Sequence, residues 1–361
     1  MTRRHLVGLQ TWTCLRAAGR PPYRRHELPD TGPELDNPLR EVSRMNNLGS
    51  CRIGVLHGGD SPERSGSLIS GRAAADALTS HGYSVELVDT SVVTVAELVG
   101  RIDVALIALH GPGGEDGKMQ GALDTIGIPY AGSGVLASAT AMYKPRFKKL
   151  VEMARLDTAA YTAVCDCATL READRIVERL GLPVVLKPTS GGGSLETTVI
   201  RTCEDLCHWL EDRPVELYGE FMAEEFLPGA SITVGLLEVG GELRTLPPLE
   251  TETDRDFYDY VAKHDPAQRR YHCPARLPAN ELLRAQQLAM RVHRLVGAHG
   301  VSRVDFIATP NGRLSVLEIN TLPGLSPQGN LATMAAADGI EYGKLIDLVT
   351  ATAFTKPAYL P

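Results

Sequence analysis

The most informative stretch of this 361-residue chain is Val301-Ser-Arg-Val-Asp-Phe-Ile-Ala-Thr-Pro-Asn-Gly-Arg-Leu-Ser-Val-Leu-Glu-Ile-Asn320. Two apolar, alternating runs flank Asn311-Gly312, which is the strongest short-range signal for a β-hairpin. If those two residues form the loop, Asp305 faces Glu318 and Arg303 faces Asn320. Positions two apart share a strand face, so the four side chains are predicted to stand together on one face of the hairpin.

This face of the hairpin has two interpretations. Directly opposed carboxylates repel each other, and a hard cation between them would turn that cost into a binding site. Mg²⁺ prefers carboxylate and amide oxygens together with phosphates, so Asp305, Glu318 and Asn320 are candidate metal ligands. The alternative is a solvated face whose charges meet water, and the hairpin alone does not decide between the two.

Composition narrows the classes of protein to which the chain can belong. The 43% hydrophobic and 22% charged residues are typical of a soluble globular protein, and the length suggests two or three domains. The net charge of −7 gives no basic footprint for nucleic acid or for an anionic membrane surface. Seven scattered cysteines argue against a disulfide framework, so we expect a cytoplasmic protein. Residues 1–50 lack periodicity and are predicted to be a disordered or non-core extension.

Residues 51–142 are predicted to form an α/β domain with a Rossmann-like parallel sheet, because strands and helices alternate along them. Glycine-bearing loops follow two of the strands, and ligands bind beyond the carboxyl ends of strands in such sheets. The predicted strands are residues 52–57, 84–89 and 103–110, and the predicted helices are residues 67–81 and 93–101.

Residues 143–227 and 228–361 are predicted to be two further units. In the first, Lys187 comes directly before Pro188-Thr-Ser-Gly-Gly-Gly-Ser194, where backbone N–H groups and a lysine could hold a phosphate. A plain glycine turn is the alternative. In the second, antiparallel strands, the hairpin and three helices surround residues 251–272, whose length and lack of period suggest a functional loop.

Six ordered motifs over residues 51 to about 354 resemble the D-alanine–D-alanine ligases, which are members of the ATP-grasp ligases. They are Leu109-His-Gly-Pro-Gly-Gly-Glu-Asp-Gly117, Pro129-Tyr-Ala-Gly-Ser-Gly-Val135, Leu182-Pro-Val-Val-Leu-Lys-Pro188, Phe257-Tyr-Asp-Tyr-Val-Ala-Lys263, Arg303-Val-Asp305 and Leu317-Glu-Ile-Asn-Thr-Leu-Pro-Gly324. The resemblance implies an ATP-grasp fold that is α+β in its C-terminal half. It also implies a cytoplasmic, ADP-forming ligase, with a homodimer as one option, that joins an amino-acid-like acid to an amine.

The resemblance implies a role for each matching residue, and Mg²⁺, or alternatively Mn²⁺, as the metal bound with ATP. The metal ligands would be Asp305, Glu318 and Asn320. The expected catalytic residues are Arg303, His110, Ser194 and Lys263, the last on a lid formed by residues 251–272. Nucleotide contacts are expected from Lys144, Lys187, Gly191, Gly192, Gly193, Glu224, Glu225, Phe226, Leu227 and Ser231, and substrate contacts from Ser65, His264, Gly324 and Gly329.

Departures from the family pattern concentrate on the substrates. Ser65 stands where the family has the glutamate that holds the first ammonium, while Gly193, His264 and Gly329 replace a serine, a tyrosine and a serine. The ribose-binding glutamate corresponds to Ser231. These changes favour a ligase with altered substrates in a specialised pathway. One alternative is a D-alanine–D-alanine ligase of peptidoglycan synthesis, in which a neighbour such as Glu63 takes over, and another is an inactive ATP-binding regulator.

Overall fold

The computed structural model describes residues 48–165, 168–192, 197–213, 215, 219–253 and 268–357. The strands are β1 Arg52–His57, β2 Ser84–Asp89, β3 Val104–Ile107, β4 Tyr161–Ala163, β5 Val184–Pro188, β6 Thr198–Ile200, β7 Phe221–Glu225, β8 Ala230–Val239, β9 Glu242–Thr245, β10 Leu249–Thr253, β11 Arg269–His272, β12 Val301–Ala308 and β13 Leu314–Asn320. The helices are α1 Arg64–Ser80, α2 Lys118–Ile126, α3 Val135–Met142, α4 Lys144–Met153, α5 Thr169–Leu180, α6 Cys203–Asp212, α7 Ala279–Val296, α8 Asn330–Ala337 and α9 Tyr342–Ala351.

The first sheet is parallel, as the alternation of strands and helices predicted, and its strand order is β2-β1-β3. β1 after Arg52 and all of β3 are buried, whereas β2 at the edge is mostly not. Helix α1 and the C-terminal helix α9 share one core cluster with this sheet, which includes Leu78 and Ile346. The helix predicted over residues 93–101 is wrong, because only Val95–Leu98 form a short 3-10 turn. The loops after β1 and β3 carry Glu63 and His110 to the carboxyl edge of the sheet.

The second sheet is antiparallel, with strand order β4-β7-β5-β6. Side chains alternate along β5, so its two faces have different surroundings. Val184 and Leu186 pack in a core cluster with Ile176 of α5 and Leu206 of α6. The opposite face therefore carries Lys187 toward the cavity described below.

The third sheet has the order β11-β10-β8-β12-β13, with β9 paired to β8, and all of its pairings are antiparallel. Val304 and Phe306 of β12 are fully buried in a core cluster with Phe147 of α4 and Val292 of α7. Residues of opposite parity therefore point away from that core, and these include Arg303 and Asp305.

The pairing of Asp305 with Glu318 and of Arg303 with Asn320 is confirmed, but the predicted two-residue loop is wrong. Residues 309–313 connect the strands, closed by a hydrogen bond from the Thr309 N–H to the Arg313 carbonyl oxygen at 2.9 Å. The register shifts between Asp305 and Phe306, which leaves Leu317 as an extra residue in β13. This bulge offsets the longer turn and restores the predicted partners at the functional end.

The stretch 251–272 is also more regular than its composition suggests. Its ends form β10 and β11, which pair antiparallel with Thr251 opposite Tyr271. The remainder, which includes Lys263 and His264, lies outside the described residues, as does most of the 1–50 extension. The predicted domain boundaries at residues 142 and 227 stay predictions.

Candidate active site

A cavity of about 860 Å³ is lined by loops that follow the first sheet and by strands of the other two. It contains every predicted site residue that the structure describes. These residues are Ser65, His110, Lys144, Lys187, Gly191, Gly192, Glu224, Glu225, Phe226, Leu227, Ser231, Arg303, Asp305, Glu318, Asn320, Gly324 and Gly329. The predicted residues Gly193, Ser194, Lys263 and His264 lie outside the described part of the chain.

On the hairpin, the Arg303 guanidinium forms an ion pair with the carboxylate of Asp305 on the same strand. Its Nε donates to Asp305 Oδ1 at 3.0 Å and its Nη2 donates to Oδ2 at 2.8 Å. Thr233 of β8, which faces Asp305 in the register, donates its hydroxyl to Oδ1 at 3.0 Å. Burial disfavours the charged guanidinium, but Asp305, Glu318 and Glu115 outweigh this effect and raise the pKa of Arg303. Arg303 is therefore a permanent cation that is held rigidly in the wall of the cavity.

The donor set on this face suits a hard divalent cation. Asp305 and Glu318 are opposed across the strands, and Asn320 follows on the same face. The amide of Asn320 is fixed, because its Oδ1 accepts from the Leu322 N–H at 2.7 Å and its Nδ2 donates to Glu115 at 3.3 Å. In the described residues no group of three or more His, Cys, Asp and Glu could hold a metal. A cation here would need the Asn320 amide and phosphate oxygens to complete its shell, as Mg²⁺ accepts.

Two lysines project into the cavity from different elements. Lys144 opens α4, and its Nζ donates to the carbonyl oxygen of Gly191 in the glycine loop at 2.5 Å. It also lies 4.0 Å from a Glu318 oxygen. Lys187 leaves β5 and donates to Glu224 Oε2 at 2.5 Å. Lys144 thus lies between the glycine loop and a hairpin carboxylate, and Lys187 lines the same cavity. Both ammonium groups would attract an anion bound there.

The segment Glu224–Leu227 with Ser231 was predicted to hold the base and ribose of a nucleotide. The Glu224 carboxylate is only 3% exposed, and it accepts hydrogen bonds from Lys187 and from Lys148 of α4. Burial alone would raise the pKa of Glu224, but the two ammonium groups outweigh it and lower that pKa. With its side chain so engaged, Glu224 could meet a base only through its backbone. Ser231 lies opposite Ile307 in the β8–β12 register and lines the same cavity.

Two carboxylates, Glu63 and Glu115, meet beside the glycine loop. His110 lies 3.1 Å from the Ser70 hydroxyl through Nε2 and 3.7 Å from a Glu115 oxygen through Nδ1. A methyl group built on Gly192 would come within 2.8 Å of a Glu63 oxygen and 3.3 Å of a Glu115 oxygen. The two carboxylates therefore converge on the glycine loop, beside Ser65 of α1. Sequence reasoning gave no role to Glu115, although it lies within the quoted His110–Gly117 motif.

The turn after β13 lies against His110. A Cβ on Gly324 would lie 3.6 Å from the His110 ring, so the turn packs closely against that side chain. Gly329 precedes α8, and its N–H donates to the Ser326 carbonyl oxygen at 3.0 Å. A side chain on Gly329 would meet that carbonyl oxygen at 3.1 Å, so the position is tight for any larger residue.

Known proteins resemble this chain over most of its length. Two family models match, described as the D-ala D-ala ligase C-terminus over residues 150–350 and the D-ala D-ala ligase N-terminus over residues 89–133. A D-alanine–D-alanine ligase of Alkalilimnicola ehrlichii is 43% identical over 297 residues, which is 81% of this chain and 92% of that protein. One of Geotalea uraniireducens is 38% identical over 316 residues, with 86% and 98% covered.

A solved structure resembles the fold as well. The crystal structure of the D-alanine–D-alanine ligase from Bacillus anthracis complexed with ATP is 30% identical in sequence. It superimposes with a TM-score of 0.70 and covers 84% of this chain and 96% of that one.

Proposed function

Because the chain belongs to the D-alanine–D-alanine ligase family, we propose that it joins two molecules of D-alanine in a reaction driven by ATP. The observation that carries this proposal is that one cavity brings together groups suited to phosphates and to an amino acid. Lys144, Lys187 and Arg303 supply positive charge for phosphates, while Glu63 and Glu115 supply negative charge for the ammonium group of an amino acid.

Membership of the family confirms the resemblance read from the six motifs. It also confirms the ATP-grasp fold with an N-terminal parallel sheet and the reaction class of an ADP-forming carbon–nitrogen ligase. Between the two enzyme readings of the sequence, the relatives favour the alternative, a D-alanine–D-alanine ligase, over a ligase with altered substrates.

The reaction would proceed in two steps. A carboxylate oxygen of the first D-alanine attacks the γ-phosphoryl group of ATP, which gives an acylphosphate and releases ADP. The amine of the second D-alanine then attacks the acyl carbon, so that a C–N bond forms, the C–O bond to phosphate breaks and the amine loses a proton. Phosphoryl transfer needs little covalent help from a protein and depends on positioning and charge stabilisation.

The residues of the cavity would divide that work. Lys144 and Lys187 would hold the phosphates beneath the glycine loop, and Arg303 would stabilise the charge that develops on the transferred group. Asp305, Glu318 and Asn320 would hold Mg²⁺, or Mn²⁺ in its place, which when bound neutralises phosphate charge. Lys263 and His264, in the stretch between β10 and β11, would cover the site and exclude water from the acylphosphate.

The two carboxylates beside the glycine loop can compensate for the absence of a glutamate at position 65. An ammonium group needs an anionic partner when it leaves water, and Glu63 and Glu115 converge in the cavity that Ser65 also lines. We infer that Glu63 takes the role of the missing carboxylate for the first D-alanine. His110, held between Ser70 and Glu115, would contact the same substrate.

The cellular setting is part of the same proposal. We expect the enzyme to work in the cytoplasm, where ATP is available, and to supply a dipeptide for peptidoglycan. No helix in the part of the chain that the structure describes is long and apolar enough to cross a membrane. A homodimer stays a prediction.

The experiment that tests the function measures ADP release and product mass. Enzyme, ATP and Mg²⁺ are incubated with D-alanine alone, with L-alanine alone, and with D-alanine paired with other amines or hydroxy acids. We expect D-alanine alone to give ADP and D-alanyl-D-alanine in equal amounts, and the Glu318→Gln variant to give neither. ADP release that requires a partner other than D-alanine would overturn the proposal in favour of altered substrates. ATP binding with no turnover on any pair would favour a regulator.

A further inference from the structure

Lys148 is a fully buried lysine to which the proposed mechanism gives no role. It lies on α4, one turn after Lys144, and its side chain is 0% exposed. Lysine is almost never fully buried unless its charge is paired. Its Nζ donates to Glu224 Oε1 and, at 2.7 Å, to the hydroxyl of Thr158, and it lies 5.1 Å from the centre of the Tyr161 ring.

The sheet register explains why these groups meet. Tyr161 and Val185 are both opposite Glu224, on β4 and β5, so the three side chains share one face of the sheet. Lys187 is two residues beyond Val185 and therefore lies diagonally from Glu224 on that face. From helix α4, Lys148 reaches the second oxygen of the carboxylate.

The charges in this cluster do not balance. Glu224 Oε2 binds Lys187 and Oε1 binds Lys148, so two ammonium groups share one carboxylate. With Lys187 alone, the buried pair would have no net charge. With Lys148 included, the cluster carries one excess positive charge. Lys187 is the residue of this cluster that comes directly before the glycine loop.

We propose that Lys148 is a positioning residue for the nucleotide, which neutralises Glu224 so that the charge of Lys187 remains available to the phosphates of ATP. The inference rests on the proposed function only in its choice of ATP as the anion. Lys148 would thus contribute to the affinity for ATP without contacting ATP itself.

The environment of Lys148 also predicts how the effect depends on pH. Burial, and next the like charge of Lys187, lower the pKa of Lys148 to about 8, although Glu224 and Glu152 of the same helix oppose the shift. Tyr161 faces the ammonium group with its ring and Thr158 with its hydroxyl. Above that pH Lys148 is neutral, the excess charge disappears, and affinity for ATP should fall.

Two variants separate this electrostatic role from a structural one. Lys148→Met removes the excess charge, whereas the double change Lys148→Met with Glu224→Gln restores it by making the carboxylate neutral. The dissociation constant of ATP is measured by calorimetry without D-alanine, from pH 6.5 to pH 9.5, and the Tm of each variant is recorded. Lys149→Met is the matched control, because Lys149 is the exposed neighbour on the same helix.

We expect Lys148→Met to raise the Kd for ATP about tenfold or more at pH 7, since one charge near the phosphates is lost in a partly buried site. The double variant should bind ATP within about threefold of the unmodified enzyme. Its Kd should show no step near pH 8, whereas the unmodified enzyme should weaken through that pH.

Two results would overturn the proposal: a double variant that binds ATP more weakly than Lys148→Met, or an unmodified enzyme whose Kd shows no step within about a unit of pH 8. If Lys148→Met does not fold, the affinity and pH profile of the double variant decide the question. Failure of the proposed function would look different, because ATP would still bind while D-alanine produced no ADP.

Discussion

Replacing Glu63 by glutamine tests how this chain holds the first D-alanine. The Glu63 carboxylate lies beside Gly111 and Gly192, 2.7 and 2.8 Å from methyl groups built at those positions, and it lines the same cavity as Ser65. A charge-assisted hydrogen bond to an ammonium group contributes about 1.5–3 kcal/mol. Because each 1.4 kcal/mol is about tenfold, KM for D-alanine should rise about 10- to 150-fold. The KM for ATP should change less, since the ammonium group that Glu63 would bind belongs to the amino acid.

The assay is steady-state ADP release at saturating ATP with D-alanine varied. Asp60→Asn is the matched control, because Asp60 is an exposed carboxylate in the same loop outside the cavity. Adding Ser65→Glu to the Glu63→Gln variant should restore most of the affinity by returning a carboxylate to the family's position. An unchanged KM for D-alanine in Glu63→Gln would refute the reasoning and assign the ammonium group to Glu115 or to residues of the lid.

Three further outcomes are expected. Arg303→Lys should lower kcat by about 10²–10³-fold, because lysine lacks the planar guanidinium that binds Asp305 and would at the same time stabilise charge on the transferred phosphoryl group. The KM for D-alanine, measured in the same assay, should stay within a few fold. Removing divalent cations with a chelator should abolish ADP release, and either Mg²⁺ or Mn²⁺ should restore it, whereas activity that survives exhaustive chelation would contradict the metal site. Phe306→Ala should lower the free energy of unfolding by about 3–5 kcal/mol in a denaturant titration, because the side chain is fully buried on the core face of the hairpin. Ile307→Ala, on the opposite face and only partly buried, should lower it less.

The functional face of the hairpin could be read from the sequence because strand periodicity is local. Alternation assigned Arg303, Asp305, Glu318 and Asn320 to one face without any knowledge of the rest of the fold. The turn could not be read in the same way. Asn311-Gly312 favours a two-residue loop, but the Thr309 side chain joins a longer turn by accepting from the Arg313 N–H, and the bulge at Leu317 absorbs the difference.

The roles of charged residues depended on contacts that are distant along the chain. Glu224 was expected to contact a nucleotide base, yet its carboxylate is occupied by Lys148 and Lys187, which are 76 and 37 residues away. Glu115 was given no role, although folding brings it to Asn320 and His110. No local pattern marks such partners, because a side chain is paired by whatever packs against it.

By itself, the sequence determined the family, the ATP-grasp fold and the list of residues that line one cavity, because short motifs and strand periodicity specify these locally. Only the tertiary structure decided which of those residues bind one another, since burial forces charges from separate elements to pair. It set two carboxylates, Glu63 and Glu115, in the cavity where Ser65 supplies none. It also paired Glu224 with two lysines, Lys148 and Lys187. The resulting excess charge becomes apparent only once two strands and one helix are brought together.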